Sequence, residues 1–337
     1  MPSSAESGGP EGLARFRNLT RATIAATFLL VVVGGVVRVS ESGLGCGSAG
    51  SGTHGWPLCD GRVLPFIELN TIVEFSHRLL ATVVSVLILL MVWRAVRSLA
   101  DRRWIVRGSL AALALVLLQA GLGGLTVEHG LEEALVAAHL GLAMILIGVL
   151  LFVLRATRTD EPAPAAPGGL RTLSVVAATL VLATIVAGGY MAGTEKVGAE
   201  ETPVHGGAHL ACGTEFPTCL GEAAPFGTGP MVDVHLTHRV LMYLAAAAVL
   251  AMFAVAMRRG IRSRAFPLAA ILLVAQILLG AMNVWLGEHP TLIVAHLTLG
   301  TLLWGTVAYA ALQLVPVPAQ ARAPIRDTRT EASASPA

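Results

Sequence analysis

The sequence predicts an all-α membrane protein with eight transmembrane helices, arranged as two tandem pseudo-symmetric four-helix bundles. Three observations predict it. The 337 residues are 55% hydrophobic and 13% charged, with a mean hydropathy of +0.72, outside the range of ordinary soluble domains. Eight apolar stretches approach the roughly 20 residues that cross a bilayer core. Four histidines recur as two matched pairs, His77 and His139 at a spacing of 62 and His238 and His296 at a spacing of 58. The pairs are offset by 161 and 157 residues between halves, as in an internal repeat.

The first stretch, 20–39, is long and runs into Arg38-Val39-Ser40-Glu41 rather than a small-residue cleavage site, so it is expected to be retained. Residues 1–19 read as a cytoplasmic tail, polar and disordered over 1–14. The second stretch, 75–93, opens on Glu74-Phe75-Ser76-His77-Arg78-Leu79. The third, 108–127, ends in Gln119-Ala120-Gly121-Leu122-Gly123-Gly124-Leu125-Thr126-Val127, and the fourth, 134–154, carries Ala138-His139-Leu140-Gly141-Leu142. A Pro- and Gly-rich linker, 158–171, separates the halves 20–157 and 172–314. The fifth stretch is 172–192; the sixth, 236–257, opens on His235-Leu236-Thr237-His238-Arg239-Val240. The seventh, 266–286, contains Gln276-Ile277-Leu278-Leu279-Gly280-Ala281-Met282-Asn283-Val284, the counterpart of 119–127. The eighth, 291–313, carries Ala295-His296-Leu297-Thr298-Leu299 before a disordered cytoplasmic tail, 315–337. The repeated glycines read as helix packing. Gln119 and Gln276 read as polar packing or as contacts to a bound group.

Of the 23 basic residues, 18 lie in the two tails, at the start of the first segment (Arg21) and in the loops after segments two, four and six, as with Arg94, Arg97, Arg102, Arg103, Arg107, Arg258, Arg259, Arg262 and Arg264. The opposite loops carry Glu128, Glu132, Glu133, Glu200, Glu201 and Glu288. The positive-inside rule then puts both termini in the cytoplasm. The net charge of +2 reports topology and gives no sign of nucleic-acid binding. One lysine against 22 arginines suggests a GC-rich bacterial source, hence a multi-pass plasma-membrane protein.

Segments two, four, six and eight run from outside to inside, with each of the paired histidines in or near a first turn. An imidazole inside a bilayer is costly and faces the bundle interior. Two parallel helices present two imidazoles at one level, the geometry that clamps one planar haem per half through axial ligation. Four imidazoles hydrogen-bonded across the bundle or capping helix ends would be the plainer reading of each one singly, but not of two pairs in register. Cys46 and Cys59 in the first outer loop, and Cys212 and Cys219 in the third, face the oxidising side. Neither spacing suits a zinc CxxC pair. Disulfides Cys46–Cys59 and Cys212–Cys219 are one reading, and a redox-active thiol pair the other.

Gly34-Gly35-Val36-Val37-Arg38, Ser42-Gly43-Leu44, Trp56-Pro57-Leu58-Cys59 and Glu74-Phe75-Ser76-His77-Arg78, with the eight spans and paired histidines, together resemble the haem A synthase family over most of 20–313. The resemblance implies oxidation of a methyl group of haem O to the formyl group of haem A, which terminal oxidases need. It implies haem b as cofactor on His238 and His296, and haem O as substrate on His77 and His139. One departure is the Gly/Ser-rich stretch 47–58 between Cys46 and Cys59, longer than the family's compact loop.

An asymmetry between halves agrees with that division: Glu74 stands three residues before its ligand, where the second half has His235. At i and i+3, Glu74 shares a face with His77, as a catalytic carboxylate that stabilises charge at the reacting carbon or takes its proton. The alternative is a helix-start glutamate paired with Arg78. Arg78 and Arg239 read as partners of haem propionates or as snorkelling to headgroups, and Arg38 likewise. His54, His129, His205, His209 and His289 read as solvated loop residues, and His235 as polar packing or a secondary haem contact. Implied partners are a haem O synthase that delivers substrate, an unidentified electron acceptor and membrane lipid; a homo-oligomer is allowed. Competing functions are a di-haem b-type membrane cytochrome and a haem carrier or transporter, whose repeats are commonly inverted.

Overall fold

A computed structural model describes residues 9–64, 68–158, 168–194, 207–287 and 289–315. The expectations for 1–8, for 159–167 of the linker and for the tail 316–337 lie outside the described residues, as do Glu200, Glu201, His205 and Glu288. Among the described residues the chain forms eight long helices and no strand: α1 (Pro10–Val39), α2 (Leu69–Ser98), α3 (Arg103–Glu128), α4 (Glu133–Ala156), α5 (Gly168–Gly193), α6 (Pro230–Arg258), α7 (Ala265–Trp285) and α8 (Pro290–Leu314). Each is long and apolar enough to cross a membrane.

Five helix starts lie well before the sequence expectation: those of α1, α2 and α6, and also α3, at Arg103 rather than 108, and α5, at Gly168 rather than 172, so that residues 168–171 of the expected linker are helical. Residues 10–19, expected in the tail, form the first turns of α1. Pro10 takes the first helical position, where its missing N–H costs nothing. Phe16, 1% exposed, then joins Val84, Ile88, Met91 and Ile105 in the core of the first half. α2 and α6 begin at Leu69 and Pro230, six residues before the apolar runs at 75 and 236. Their extra turns mix polar with apolar residues and are held by loop contacts: Thr71 Oγ1 donates to Gly45 O (2.7 Å) and Asp233 Oδ1 accepts from Gly227 N–H (2.7 Å).

Within the first half α1 packs on α2, α2 on α3, α3 on α4 and α4 back on α1; α5 to α8 close the same ring. The halves meet through α4 on α5, α4 on α8 and α1 on α8. A second core of Met144, Val181, Val249, Met252, Phe266 and Trp304 spans this interface, where Trp304 Nε1 donates to Met144 O (2.9 Å). Buried Thr20, Thr23 and Thr27 on α1 satisfy their hydroxyls on carbonyls one turn back (3.0, 2.9 and 2.8 Å).

Phe16→Ala is expected to destabilise the detergent-solubilised protein by about 3–5 kcal/mol, the usual cost of deleting a buried aromatic. Thermal unfolding checks it; an unchanged transition would return residues 10–19 to the status of a tail.

Candidate functional site

His139 and His296 lie in the second turns of α4 and α8, close to the helix starts as predicted. His77 and His238 lie in the third turns of α2 and α6, deeper than predicted, because those helices begin earlier. Each imidazole rests its Cε1 edge on a glycine of the preceding helix. A Cβ on Gly34 of α1 would stand 3.1 Å from Cε1 of His77, and one on Gly123 of α3 would stand 3.2 Å from that of His139. In the second half, Gly188 of α5 and Gly280 of α7 bear the same relation to His238 (3.1 Å) and His296 (3.0 Å). His77 and His139 lie within electrostatic reach of each other, as do His238 and His296. At this level side-chain packing is loose: α2 has no buried residue between Glu74 and Val84, and α8 none from Pro290 to Leu299.

The glutamines one turn before the α3 and α7 glycines tie adjacent helices together. Gln119 Nε2 donates to the carbonyl of His139 (3.0 Å) and Gln276 Nε2 to that of His296 (3.1 Å). Around the rings, however, the halves differ. His238 Nδ1 lies 3.0 Å from the carbonyl of Thr184. A carbonyl only accepts, so Nδ1 carries the proton and Nε2 keeps its lone pair, the state of an imidazole ligand. The Gln276 amide stands 3.2 Å from both ring nitrogens of His296. In the first half, Nδ1 of His77 faces the carbonyl of Leu30, the counterpart of Thr184, without a well-formed hydrogen bond, and Nδ1 of His139 is buried with no hydrogen-bond partner.

These donors suit haem. Among the described residues no group of three or more His, Cys, Asp or Glu is placed to hold a bare ion. Two imidazoles per site suffice for a metal that brings its own equatorial donors. Glycine beside each ring gives clearance that a Cβ would fill, so His77 with His139 and His238 with His296 would each hold one macrocycle.

The disulfide loops are fastened to the ligand helices by residues flanking the first histidine of each pair. Cys46–Cys59 and Cys212–Cys219 are both bonded, and among the described residues no cysteine is free. The longer first loop thus still closes. Glu74, 3% exposed, accepts the Cys46 N–H at Oε2 (2.7 Å) and pairs with Arg78 through Oε1. Arg78 Nη1 donates to Leu58 O (2.8 Å), so one turn of α2 grips both ends of the loop. In the second half His235 Nδ1 donates to Ala208 O (2.8 Å), and Arg239 donates to Thr218 O (2.8 Å) and Glu215 O (2.7 Å). Arg78 and Arg239 thus reach loop carbonyls, and Arg78 also Glu74. Arg38 donates to Ala192 O of α5 (3.2 and 2.5 Å). The first loop also reaches toward the site: Trp56 lies over Gly124, whose Cβ would meet its Cδ2 at 2.8 Å, next to the Gly123 that bears His139.

His54, His129 and His289 are exposed and away from the rings, as expected. His209 differs: it is half-buried, with His235, His238 and His296 within electrostatic reach. Its one sequence signal is position, three residues before Cys212 where Gly43 stands three before Cys46.

Residues 64–308 match the family COX15-CtaA, described as cytochrome oxidase assembly protein. A protein named heme A synthase from Symbiobacterium thermophilum is 31% identical over 316 residues, 89% of this chain and 96% of its own length. Two others of that name, from Halalkalibacterium halodurans and Alkalihalophilus pseudofirmus, are 28% and 31% identical over 85% and 65% of this chain, and over 92% and 69% of theirs.

The loop anchoring is testable apart from any catalysis. Glu74→Gln keeps an oxygen for the Cys46 N–H, whereas Glu74→Ala leaves that N–H unpaired and Arg78 with Leu58 O alone, at about 1–3 kcal/mol. Limited proteolysis between residues 47 and 58 is expected to quicken in Glu74→Ala and Arg78→Leu but little in Glu74→Gln. Equal resistance in all three would show that the loop does not depend on this grip.

Proposed function

The chain belongs to the COX15-CtaA family of cytochrome oxidase assembly proteins, and from that premise we propose that it makes haem A by oxidising a methyl group of haem O to a formyl group. The observation that carries the division of labour is the difference three residues before the first histidine of each pair, a buried carboxylate at Glu74 in one half and an imidazole at His235 in the other. His238 donates its Nδ1 proton to Thr184 O, which fixes ring orientation and strengthens a ligand, as a retained haem b requires. His139 has no partner at Nδ1, which suits a substrate that must enter and leave. The bundle 20–157 is then the substrate half and 172–314 the cofactor half. A carboxylate beside one site alone also argues against a cytochrome with two equivalent haems.

Bound on His238 and His296, haem b would supply one-electron redox chemistry. Methyl to formyl with the oxygen taken from water is a four-electron oxidation that releases four protons, so an electron acceptor at the membrane must complete the reaction. His77 and His139 clamp the substrate at a fixed height, and Trp56 with the first disulfide loop covers the adjacent end. Glu74, one turn before His77, fixes that loop and places a buried carboxylate on the substrate side. Taking a proton from the reacting carbon would require it to release Arg78 or the Cys46 N–H, so its part is electrostatic unless that pair opens. Arg78 and Arg239 act on the bound groups by holding the loops over them. Both termini are placed in the bacterial cytoplasm with the ligands toward the outer face, and a haem O synthase is the source of substrate.

His238→Ala or His296→Ala is expected to abolish tightly bound haem b, read from the pigment of the purified protein. His77→Ala or His139→Ala is expected to keep most of that haem and stop conversion; equal loss of the same haem in all four overturns the two-site assignment. In Glu74→Gln, haem b should stay while haem A output falls about 10²-fold, the scale of a lost charge stabiliser. Near-normal output from the folded variant would confine Glu74 to loop anchoring.

A further inference from the structure

Gly34 and Gly35 are neighbours on α1 and therefore face directions about 100° apart. Gly34 receives the His77 ring from its own half. Gly35 faces α8 of the other half, where its Cβ would stand 2.6 Å from Cδ2 of Leu297, the residue after His296. On α5 the arrangement recurs. Gly188 receives His238, and Gly189 faces α4, where its Cβ would stand 3.1 Å from Cδ2 of Leu140, the residue after His139, and 3.3 Å from Cα of Ala137. The pattern is reciprocal, since α1 packs on both α2 and α8, and α5 on both α6 and α4.

We infer that Gly34-Gly35 and Gly188-Gly189 are positioning residues that set each histidine pair from both halves at once. The first glycine of each doublet sets the first ligand of its own half, and the second sets the helix bearing the second ligand of the opposite half. Neither site is then complete within its own bundle: His77 leans on α1 and His139 on α3, with Leu140 of the same helix against α5, while His238 leans on α5 and His296 on α7, with Leu297 of the same helix against α1. One-residue shifts of α1 or α5 would exchange a glycine for Val36 or Val33, or for Tyr190 or Ala187, so the register of these two helices is fixed by both sites together. The inference rests on the two-haem reading above.

The test is alanine at each of the four positions in the haem-loaded protein. Low-spin electron paramagnetic resonance and the reduction potential of retained haem b report the second site, and optical titration with haem O reports the first. Gly188→Ala and Gly35→Ala are expected to shift the haem b signals. Gly34→Ala and Gly189→Ala are expected to leave those signals in place and weaken haem O binding about tenfold, the scale of an altered ligand support. Gly121→Ala, with nothing within 4 Å of its Cβ, should change neither. The obstructing atom at Gly35 ends a flexible side chain, so adding Leu297→Ala to Gly35→Ala should restore the haem b signals. Each second-glycine variant disturbing the site of its own half, or neither site, would overturn the inference, as would failure of the double variant to restore the signals. A folded wild-type protein without histidine-ligated haem would instead overturn the two-haem reading.

Discussion

An imidazole edge against a helix backbone with no Cβ between them occurs four times in this chain, and much of the architecture follows from that contact. A Cβ there would stand 3.0–3.2 Å from the ring, tighter than ordinary contact, so the approach favours glycine and marks which residue of the preceding helix faces each ring. It also fixes how closely α1 meets α2, α3 meets α4, α5 meets α6 and α7 meets α8. Gln119 and Gln276 then hold the second and fourth of these pairs at the height of the ring. The apolar cores begin about two turns further along α2 and α6, at Val84 and Ala245. Each bundle is thus densely packed at one end and shaped around paired histidines at the other.

The disulfide-bearing end is built from a second repeated device. A residue three before the ligand and an arginine just after it fasten the loop: Glu74 with Arg78 in one half, His235 with Arg239 in the other. The same scaffold thereby carries a buried carboxylate in one half and an imidazole in the other. An internal repeat supplies the frame, and this one position differs in charge between the halves.

The eight spans, the ring histidines and the disulfide partners were legible in the sequence, because hydropathy and an internal repeat report them directly. The early starts of α2 and α6 were not. Asn70, Thr71 and Glu74, or Asp233 and His235, interrupt an apolar run, and their helical state depends on loop groups distant in sequence. The first turns of α1 were missed for a related reason: Leu13 and Phe16 are too few among polar residues to signal burial. For Arg78 and Arg239 charge alone names a chemistry, propionate or headgroup, and not a partner; tertiary structure adds loop carbonyls, with Glu74 beside Arg78. The glycines were read as general packing, since one-dimensional spacing does not say which of two adjacent glycines faces a ring and which faces the other half.

The claim on which the rest depends is that each half holds one macrocycle between its two histidines. A cryo-electron microscopy map of the protein purified with bound haem tests it most directly. Iron is expected between His238 and His296 in every particle class, and between His77 and His139 when haem O is supplied. A macrocycle bridging the two halves, or ligated by any other residue, would contradict it.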